Sequence, residues 1–239
     1  MTRTVSKKEK LKAFSHVFDE HTLRAVFKLS SQDYFNELVS PISIGKESNV
    51  FSASKGKDAV AVKIYRTSAN FKKMYEYMAP DPRFTGLKRT KMNVIITWAR
   101  KEYRNLLRAR SARIRVPTPI AVNQNVLVLE FIGTNFQAAP QLIKSAPTNP
   151  QDFFDKIMKE VRTLYNEAKL VHSDLSAFNI LNFKEEPVLI DFSHAVDINY
   201  PDVARYLRRD IENICTHFNK KLGLKTDAAG EYTKCTHKN

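Results

Sequence analysis

Three polar residues in the second half of the chain have the types and spacing needed to hold a metal ion and a phosphate. The stretch LVHSDLSAFNILNF, residues 170–183, places Asp174 five residues before Asn179, and Asp191 follows in LIDF. Asn179 and Asp191 offer one neutral and one anionic oxygen, which are ligands that Mg²⁺ accepts. Asp174 would then orient the hydroxyl or water that attacks a γ-phosphate, or accept its proton. The alternative is that all three only end turns.

A second group of residues, earlier in the chain, supplies what the phosphates of a nucleotide triphosphate require. Lys63 in the strand-like run AVAVKIY offers a fixed cation, and Glu102 in WARKEYRNL is the natural partner for its ammonium. A glycine-containing turn offers backbone N–H groups, and its residues are Gly45, Lys46, Glu47 and Ser48. Each of these features alone has an ordinary explanation as a turn, an edge-strand lysine or a solvated helix face. Their order along the chain is the order that a kinase requires.

The hydrophobic pattern predicts the elements that would position these residues. Residues 1–40 are predicted to be helical, since Leu23, Val26 and Phe27, and later Phe35 and Leu38, recur near helical spacing. The pattern then predicts strands at PISIG, NVFSAS and AVAVKIY, a helix at NVIITWARKEYRNLLRARSA and a hairpin at TPIAVNQNVLVLEFIG. The prolines and bases of residues 66–91 predict a long loop. Met74, Tyr75 and Tyr77 lie in that loop, and whether they fold over a nucleotide or a partner stays open.

The second half of the chain is predicted to be mostly helical. Asn149 is the expected N-cap of a helix with Pro150 in its first turn. Short paired strands are expected at FNILNF and EPVLIDF, and a closing helix is expected to end at Gly223, after which the chain is expected to fray. The sheet-containing part and the helical part would meet at a hinge, residues 130–133. Two lobes joined in this way define a cleft, where ligands usually lie.

The composition indicates a globular protein with a basic surface. Hydrophobic residues make up 43% of the chain, and the apolar runs are too short to span a bilayer. The N-terminal residues show no secretory signal, and Cys215 and Cys235 show no paired metal-ligand spacing, so a cytoplasmic location is expected. The formal net charge of +14 favours contact with polyanions, and the dispersed basic clusters suit a phosphate-facing surface.

Seven stretches between residues 42 and 214 resemble the RIO atypical kinases, and within them the first subfamily. The stretches are SIGKESNVFSA, AVAVKIYRTSANFKKMYEYM, WARKEYRNLLRA, VLVLEFIG, LVHSDLSAFNIL, LIDFSHAV and YLRRDIENI. The resemblance implies an α+β, two-lobed protein-kinase-like fold with a trimmed C-terminal lobe and an N-terminal helical extension. The expected boundaries are 1–40 for the extension, 41–132 for the N-lobe and 133–239 for the C-lobe.

The resemblance also implies a role for each candidate residue. The phosphate loop would be Gly45, Lys46, Glu47 and Ser48, followed by the strand lysine Lys63 and the helix glutamate Glu102. The backbone of Glu130 and Ile132 would hold adenine. Asp174 would be the catalytic aspartate, and Asn179 and Asp191 would be the metal ligands. ATP and Mg²⁺ are the expected cofactors, with Mn²⁺ as an alternative metal. Asp191 is also implied to accept phosphate as an aspartyl-phosphate, which makes ATP hydrolysis a rival to protein phosphorylation. RIO proteins act in maturation of the small ribosomal subunit, and the +14 charge is compatible with an rRNA-rich partner.

Three serines mark departures from ordinary protein kinases. Ser173 stands where the usual catalytic loop has arginine, Ser176 where it has lysine, and Ser193 where the glycine of DFG stands. The usual platform for peptide substrates is also missing, so peptide phosphorylation is the least direct of these expectations.

Two alternative functions stay open. One is an aminoglycoside-type phosphotransferase, and the other is an ATP-gated pre-rRNA binding module without turnover. His172 is expected to pack and hydrogen-bond within the loop.

Overall fold

The computed structural model describes residues 18–237, which divide into two compact units. The first unit contains residues 18–75, Leu87–Tyr103 and Thr118–Ala138, and the second contains Glu76–Gly86, Arg104–Pro117 and residues 139–237. The helices are α1 (Glu20–Ser31), α2 (Phe71–Met78), α3 (Lys91–Ser111), α4 (Pro150–Asn166), α5 (Val203–Leu222) and α6 (Ala228–Thr236), with a 3₁₀ turn at Pro82–Phe84. The strands are β1 (Glu37–Ile44), β2 (Ser48–Lys55), β3 (Asp58–Tyr65), β4 (Pro119–Asn123), β5 (Val126–Glu130), β6 (Gly133–Thr134), β7 (Gln137–Ala138), β8 (Leu170–Val171), β9 (Ile180–Phe183), β10 (Glu186–Leu189) and β11 (Val196–Asp197).

A five-stranded antiparallel sheet forms the first unit, in the order β1-β2-β3-β5-β4. Val60, Val62 and Ile64 of the central strand β3 belong to one apolar core with residues of α1, such as Val26 and Leu29. Because side chains alternate across a strand, the residues between them face the other side of the sheet. That alternation places Lys63 away from the α1 core.

The prediction of helix up to residue 40 was wrong beyond Ser31. Asp33 has a left-handed φ of 59°, which turns the chain after α1, and β1 begins at Glu37. Phe35 and Leu38 are buried in the sheet core rather than on a helix face. Their three-residue spacing matches a helix, but Phe35 lies before β1 and Leu38 within it, so the spacing crosses the start of a strand. The part of the predicted helix in residues 1–17 lies outside the described residues.

The second unit holds two pairs of short strands that position its loops. β8 pairs with β11 and β9 pairs with β10, both antiparallel. The loop of residues 172–179 runs from β8 to β9, and the loop of residues 190–195 runs from β10 to β11. The two loops are therefore held side by side at both ends. The pairing of β9 with β10 is the strand pair that the sequence predicted.

Helices α4, α5 and α6 pack together in the second unit. The Asn149 side chain caps α4 by accepting from the Asp152 N–H at 3.1 Å, and Gly223 ends α5 with a φ of 72°, which confirms both predicted boundaries. The expected fraying after Gly223 was wrong. Asp227 caps α6 by accepting from two backbone N–H groups, and Cys235 of that helix is fully buried.

The predicted long loop of residues 66–91 was also wrong in part, because it contains α2. Met74 and Met78 lie one turn apart in this helix and are buried. Asp81 then caps the 3₁₀ turn through the Arg83 N–H. Within residues 18–237, no helix combines the length and apolar character needed to cross a membrane.

Candidate active site

Lys63 and Glu102 form a buried ion pair in the first unit. The Lys63 Nζ lies 2.8 Å from the Glu102 Oε1, and the two residues are 5% and 1% exposed. The Tyr65 hydroxyl, on the same face of β3, donates to the other oxygen of Glu102. An ammonium group so enclosed needs a carboxylate beside it to offset the cost of its burial, and Glu102 provides one. The sequence named Glu102 as the partner of Lys63, and the structure brings the two together; a phosphate-binding role stays a prediction.

The GKES turn connects β1 and β2 and is fixed to the end of β3. Gly45 donates its backbone N–H to the Ser48 carbonyl at 2.9 Å, while the Arg66 N–H donates to the Glu47 carbonyl at 2.8 Å. A Cβ at Gly45 would lie 3.0 Å from the Ser48 carbonyl oxygen, so a larger residue there would require that carbonyl to shift by a few tenths of an ångström. Since the Gly45 N–H is used inside the turn, the amides of Lys46, Glu47 and Ser48 are the candidates for phosphate contact.

Glu130 and Ile132 lie at the end of β5 in the first unit. The Glu130 side chain accepts from the Thr118 hydroxyl at 2.7 Å and from the Thr118 N–H at 3.0 Å, and its own N–H donates to the Thr118 carbonyl. Ile132 is buried. The Glu130 side chain is thus hydrogen-bonded to Thr118, the residue that precedes β4. An adenine contact by these residues would use backbone atoms, and that role stays a prediction.

Asp174 and Asn179 are joined in the second unit by hydrogen bonds. Asn179 donates its amide Nδ2 to the Asp174 carbonyl oxygen at 2.8 Å and to the Asp174 Oδ2 at 3.1 Å. The Asn179 N–H donates to Ser176 at 2.9 Å, which closes the intervening turn. The Asp174 side chain is exposed at the surface of this unit. The loop therefore presents the carboxylate to solvent while its backbone is fixed.

Asp191 is held next to Asn179 by the following loop. The N–H of Ile190 donates to the Asn179 carbonyl at 3.0 Å, and the Ser193 hydroxyl donates to the Asp191 Oδ1 at 2.7 Å. Asp191 has a left-handed φ of 62°, a conformation that aspartate and asparagine tolerate better than most residues. The structure therefore brings Asp174, Asn179 and the Asp191 segment together, in agreement with the spacing argument.

The donor chemistry of Asn179 and Asp191 fits a divalent cation such as Mg²⁺. Because the Asn179 Nδ2 is committed to Asp174, the amide oxygen Oδ1 is the atom left for a cation. Among the described residues there is no group of three or more His, Cys, Asp and Glu side chains that could hold a metal. Mg²⁺ is commonly held by one or two side chains together with phosphates of the substrate, and this pair suits that mode.

Asp210 of α5 supports the loop that carries Asp174, and sequence reasoning missed it. Its Oδ2 accepts from the Ser173 N–H at 2.6 Å and its Oδ1 from the Leu175 N–H at 3.0 Å, so the amides on both sides of Asp174 share one carboxyl. Asp210 is 1% exposed. A charged residue at helical spacing among Leu207, Ile211 and Ile214 was the signal available in the sequence.

The Asp210 carboxyl should make the free energy of unfolding depend on pH, with a definite direction. Burial raises the pKa of this carboxyl from 3.8 to about 7, against the opposing effect of the two backbone hydrogen bonds. Between about pH 4 and pH 7 the folded state binds a proton that the unfolded state has released. The protonated Asp210 carboxyl therefore contributes stability that is fully present below about pH 4 and is lost as the pH rises through about 7. We expect the free energy of unfolding of the wild type, relative to Asp210→Asn, to fall from about pH 5 to about pH 8 in urea titrations. Asp155→Asn, at an exposed helical position, is the matched control, and a flat difference for Asp210→Asn would contradict the assignment.

Ser173 and His172 are structural residues of the same loop. Ser173 has a φ of 60°, its hydroxyl donates to the His194 carbonyl at 2.8 Å, and it also contacts the Tyr77 hydroxyl at 2.5 Å. The His172 Nε2 lies 2.9 Å from the Ile190 carbonyl oxygen, and its ring packs on Phe192. The expectation that His172 packs and hydrogen-bonds in the loop is confirmed. Tyr77, predicted in a loop, instead reaches Ser173 from α2.

Solved structures of the Rio2 kinase from Chaetomium thermophilum share this fold. Its ADP/Mg²⁺-phosphoaspartate complex matches with a TM-score of 0.69 at 21% identity, covering 89% of this chain and 64% of that chain. A second structure of the same kinase matches with a TM-score of 0.71 at 20% identity, covering 90% of this chain and 66% of that chain. The chain thus spans just under two thirds of those solved chains. The predicted protein-kinase-like fold is confirmed.

Sequence relatives define the family. The RIO domain matches residues 49–229. The RIO-type serine/threonine-protein kinase Rio1 of Haloferax volcanii is 41% identical over 226 residues, which cover 94% of this chain and 77% of that protein. The Rio1 kinase of Methanocaldococcus jannaschii is 40% identical over 214 residues, covering 89% and 73%. The chain belongs to the family of RIO-type serine/threonine-protein kinases, as its sequence motifs predicted.

Proposed function

We propose that this chain is a Mg-ATP-dependent serine/threonine kinase of the RIO type. The observation that carries the proposal is the hydrogen-bonded connection of Asp174, Asn179 and the Asp191 segment. A proton acceptor and two oxygen ligands for a cation are thereby fixed in one place, which is what phosphoryl transfer requires. The family membership favours this function over an aminoglycoside-type phosphotransferase.

Each residue has a distinct task in this proposal. Lys63, oriented by Glu102, contacts the phosphates of ATP, and the amides of the GKES turn contribute further donors. Asn179 through Oδ1 and Asp191 through its carboxylate hold the metal, which neutralises charge on the phosphates. Asp174 accepts the proton of the attacking hydroxyl. Its exposed carboxylate suits a substrate that arrives from solution.

ATP hydrolysis through Asp191 is a second candidate activity. A carboxylate oxygen of Asp191 would attack the γ-phosphorus, ADP would leave, and water would then hydrolyse the acyl phosphate to return Asp191 and inorganic phosphate. The phosphoaspartate and ADP/Mg²⁺ named for the Chaetomium thermophilum structure support this route. The two activities share every residue named above and differ in what receives the phosphate.

The cellular setting proposed for this activity is the cytoplasm and the maturing small ribosomal subunit. The formal net charge of +14 supports an rRNA-rich partner, because a strongly basic protein attracts nucleic acid. The remaining alternative is a module that grips pre-rRNA when ATP is bound and does not turn it over. The retained Asp174 favours turnover, since a pure binder does not need a proton acceptor.

Following the fate of the γ-phosphate tests the proposal. We expect the wild type, given γ-labelled ATP and Mg²⁺, to release phosphate or to transfer it to protein, and Asp191→Asn to lose both activities. An acid-stable phosphoprotein indicates a Ser/Thr acceptor, whereas a hydroxylamine-sensitive one indicates the Asp191 route. A wild type that binds Mg-ATP and neither hydrolyses it nor transfers phosphate would overturn the enzymatic proposal in favour of the ATP-gated module.

A further inference from the structure

A cavity of about 570 Å³ lies beside Asp174 in the second unit. Besides Asp174 itself, it is lined by Tyr77, Ser173, His194, Arg205, Tyr206 and Arg209. When a substrate hydroxyl reaches Asp174, the neighbouring groups of that substrate can therefore enter the cavity. The roles assigned to ATP and the metal do not use Arg205, Tyr206 or Arg209.

Two arginines give the cavity its chemical character. Arg205 and Arg209 lie one turn apart on α5, and both are exposed. Their guanidinium carbons lie 5.4 Å and 5.2 Å from the centre of the Tyr206 ring, so one aromatic ring supports both cations. Arg209 also donates to the Ser173 carbonyl. Arg205 forms no ion pair with any carboxylate in residues 18–237, so its charge is not neutralised there.

The remaining wall of the cavity is fixed by hydrogen bonds and ring contacts. The Tyr77 hydroxyl donates to the His194 carbonyl at 2.7 Å, and the Tyr77 ring lies 5.3 Å from the His194 ring and 6.3 Å from that of Tyr206. The Tyr200 hydroxyl donates to the Tyr77 carbonyl at 2.9 Å. The cavity is thus a preformed space with two cations at its edge, which lowers the cost of ordering a ligand.

We propose that this cavity binds an anionic side chain that neighbours the phosphoacceptor serine or threonine of a protein substrate. The inference rests on the proposed kinase function and names its substrate class, which is an acidic or phosphorylated peptide segment. Two guanidinium groups one helical turn apart match a single carboxylate or phosphate group. A nucleic acid strand would instead need a basic groove that follows its backbone. The cavity would thereby provide a contact for a peptide next to Asp174.

Binding of labelled peptides tests this site without requiring turnover. The probes are peptides in which alanine replaces the acceptor serine and the adjacent residue is glutamate, phosphoserine or alanine. We expect the wild type to bind the glutamate and phosphoserine peptides more tightly than the alanine peptide by about fivefold to tenfold in fluorescence anisotropy at physiological salt. Arg205→Ala should lose that preference. Arg208→Ala is the matched control, because Arg208 is equally exposed on α5 but packs over Tyr232, away from the cavity.

The same peptides with serine restored connect the site to turnover. We expect wild type and Arg208→Ala to phosphorylate the acidic peptides with the higher kcat/KM, and Arg205→Ala to treat all peptides alike, with its KM for ATP unchanged. Absence of the preference in the wild type, or its survival in Arg205→Ala, would overturn the inference. The inference would also be overturned if Arg205→Ala weakened the binding of a single-stranded RNA oligonucleotide and left the binding of the peptides unchanged. If anion-dependent binding holds and no peptide is phosphorylated, the proposed kinase function fails while the site stands.

Discussion

Replacing Asp174 with alanine is expected to lower kcat for phosphoryl transfer by about 10²-fold to 10⁴-fold, the range that a positioned general base contributes. The dissociation constant for Mg-ATP should stay within a few-fold of the wild type, because the proposed metal ligands Asn179 and Asp191 are unchanged. The loop should also keep its shape. Asn179 still donates to the backbone carbonyl at position 174, and Asp210 still accepts from the amides on either side. Steady-state kinetics together with equilibrium titration of Mg-ATP measure the two effects separately.

Asp155→Ala is the matched control for this experiment. Asp155 is an exposed aspartate on α4, where alanine is well tolerated. It should retain the full kcat. A kcat for Asp174→Ala within tenfold of the wild type would assign the proton acceptor to another group, and a parallel loss of Mg-ATP affinity would assign Asp174 to nucleotide binding instead.

Replacing Glu102 with alanine is expected to destabilise the folded protein by about 3–5 kcal/mol, because it removes one partner of a buried ion pair. The variant also removes the hydrogen bond from the Tyr65 hydroxyl to the Glu102 carboxylate. That loss is a large share of the stability of an ordinary domain, which is about 5–15 kcal/mol. Urea denaturation followed by circular dichroism measures the change in the free energy of unfolding.

The double variant Lys63→Met, Glu102→Leu distinguishes charge compensation from simple loss of packing. Apolar replacement of both partners of a buried pair is often close to neutral in stability. We expect the double variant to recover most of the loss in the free energy of unfolding seen in Glu102→Ala, apart from the lost Tyr65–Glu102 hydrogen bond, and to be inactive because Lys63 is gone. A double variant as unstable as the single one would show that the side-chain volume of Glu102, and not its charge, stabilises the fold.

The parts of the site that could be predicted from the sequence are those in which residue type and spacing act locally. The Asp174–Asn179 turn is closed by bonds between residues a few positions apart, and the hairpins place Lys63 at the centre of a sheet. The pairing of Lys63 with Glu102 spans 39 residues, yet it followed from the need of a buried ammonium for a carboxylate. Local geometry and charge compensation were sufficient for both.

The elements that sequence reasoning missed depend on packing partners that are distant along the chain. Met74 and Met78 have helical spacing, but the surrounding prolines and bases led us to predict a loop. α6 contains a glycine and little apolar sequence, and it is stabilised by its Asp227 cap and by an ion pair from Arg162 of α4 to Glu231 at 3.0 Å. The Asp227 cap is a local signal that sequence reasoning did not use, whereas the contact between Arg162 and Glu231 spans 69 residues and cannot be inferred from the local pattern.

The support of the Asp174 loop by Asp210 determines how the chain can be divided. The loop closes its own turn through Asn179, yet the amides flanking Asp174 take their acceptor from a helix 35 to 37 residues further along the chain. A segment cut out at residues 170–191 and grafted onto another scaffold would therefore carry Asp174, Asn179 and Asp191 and lose the carboxyl that accepts from the amides on both sides of Asp174. Any minimal fragment or transplant of this loop has to include α5 through Asp210. The structural unit is therefore the loop together with its supporting helix, and not the linear motif alone.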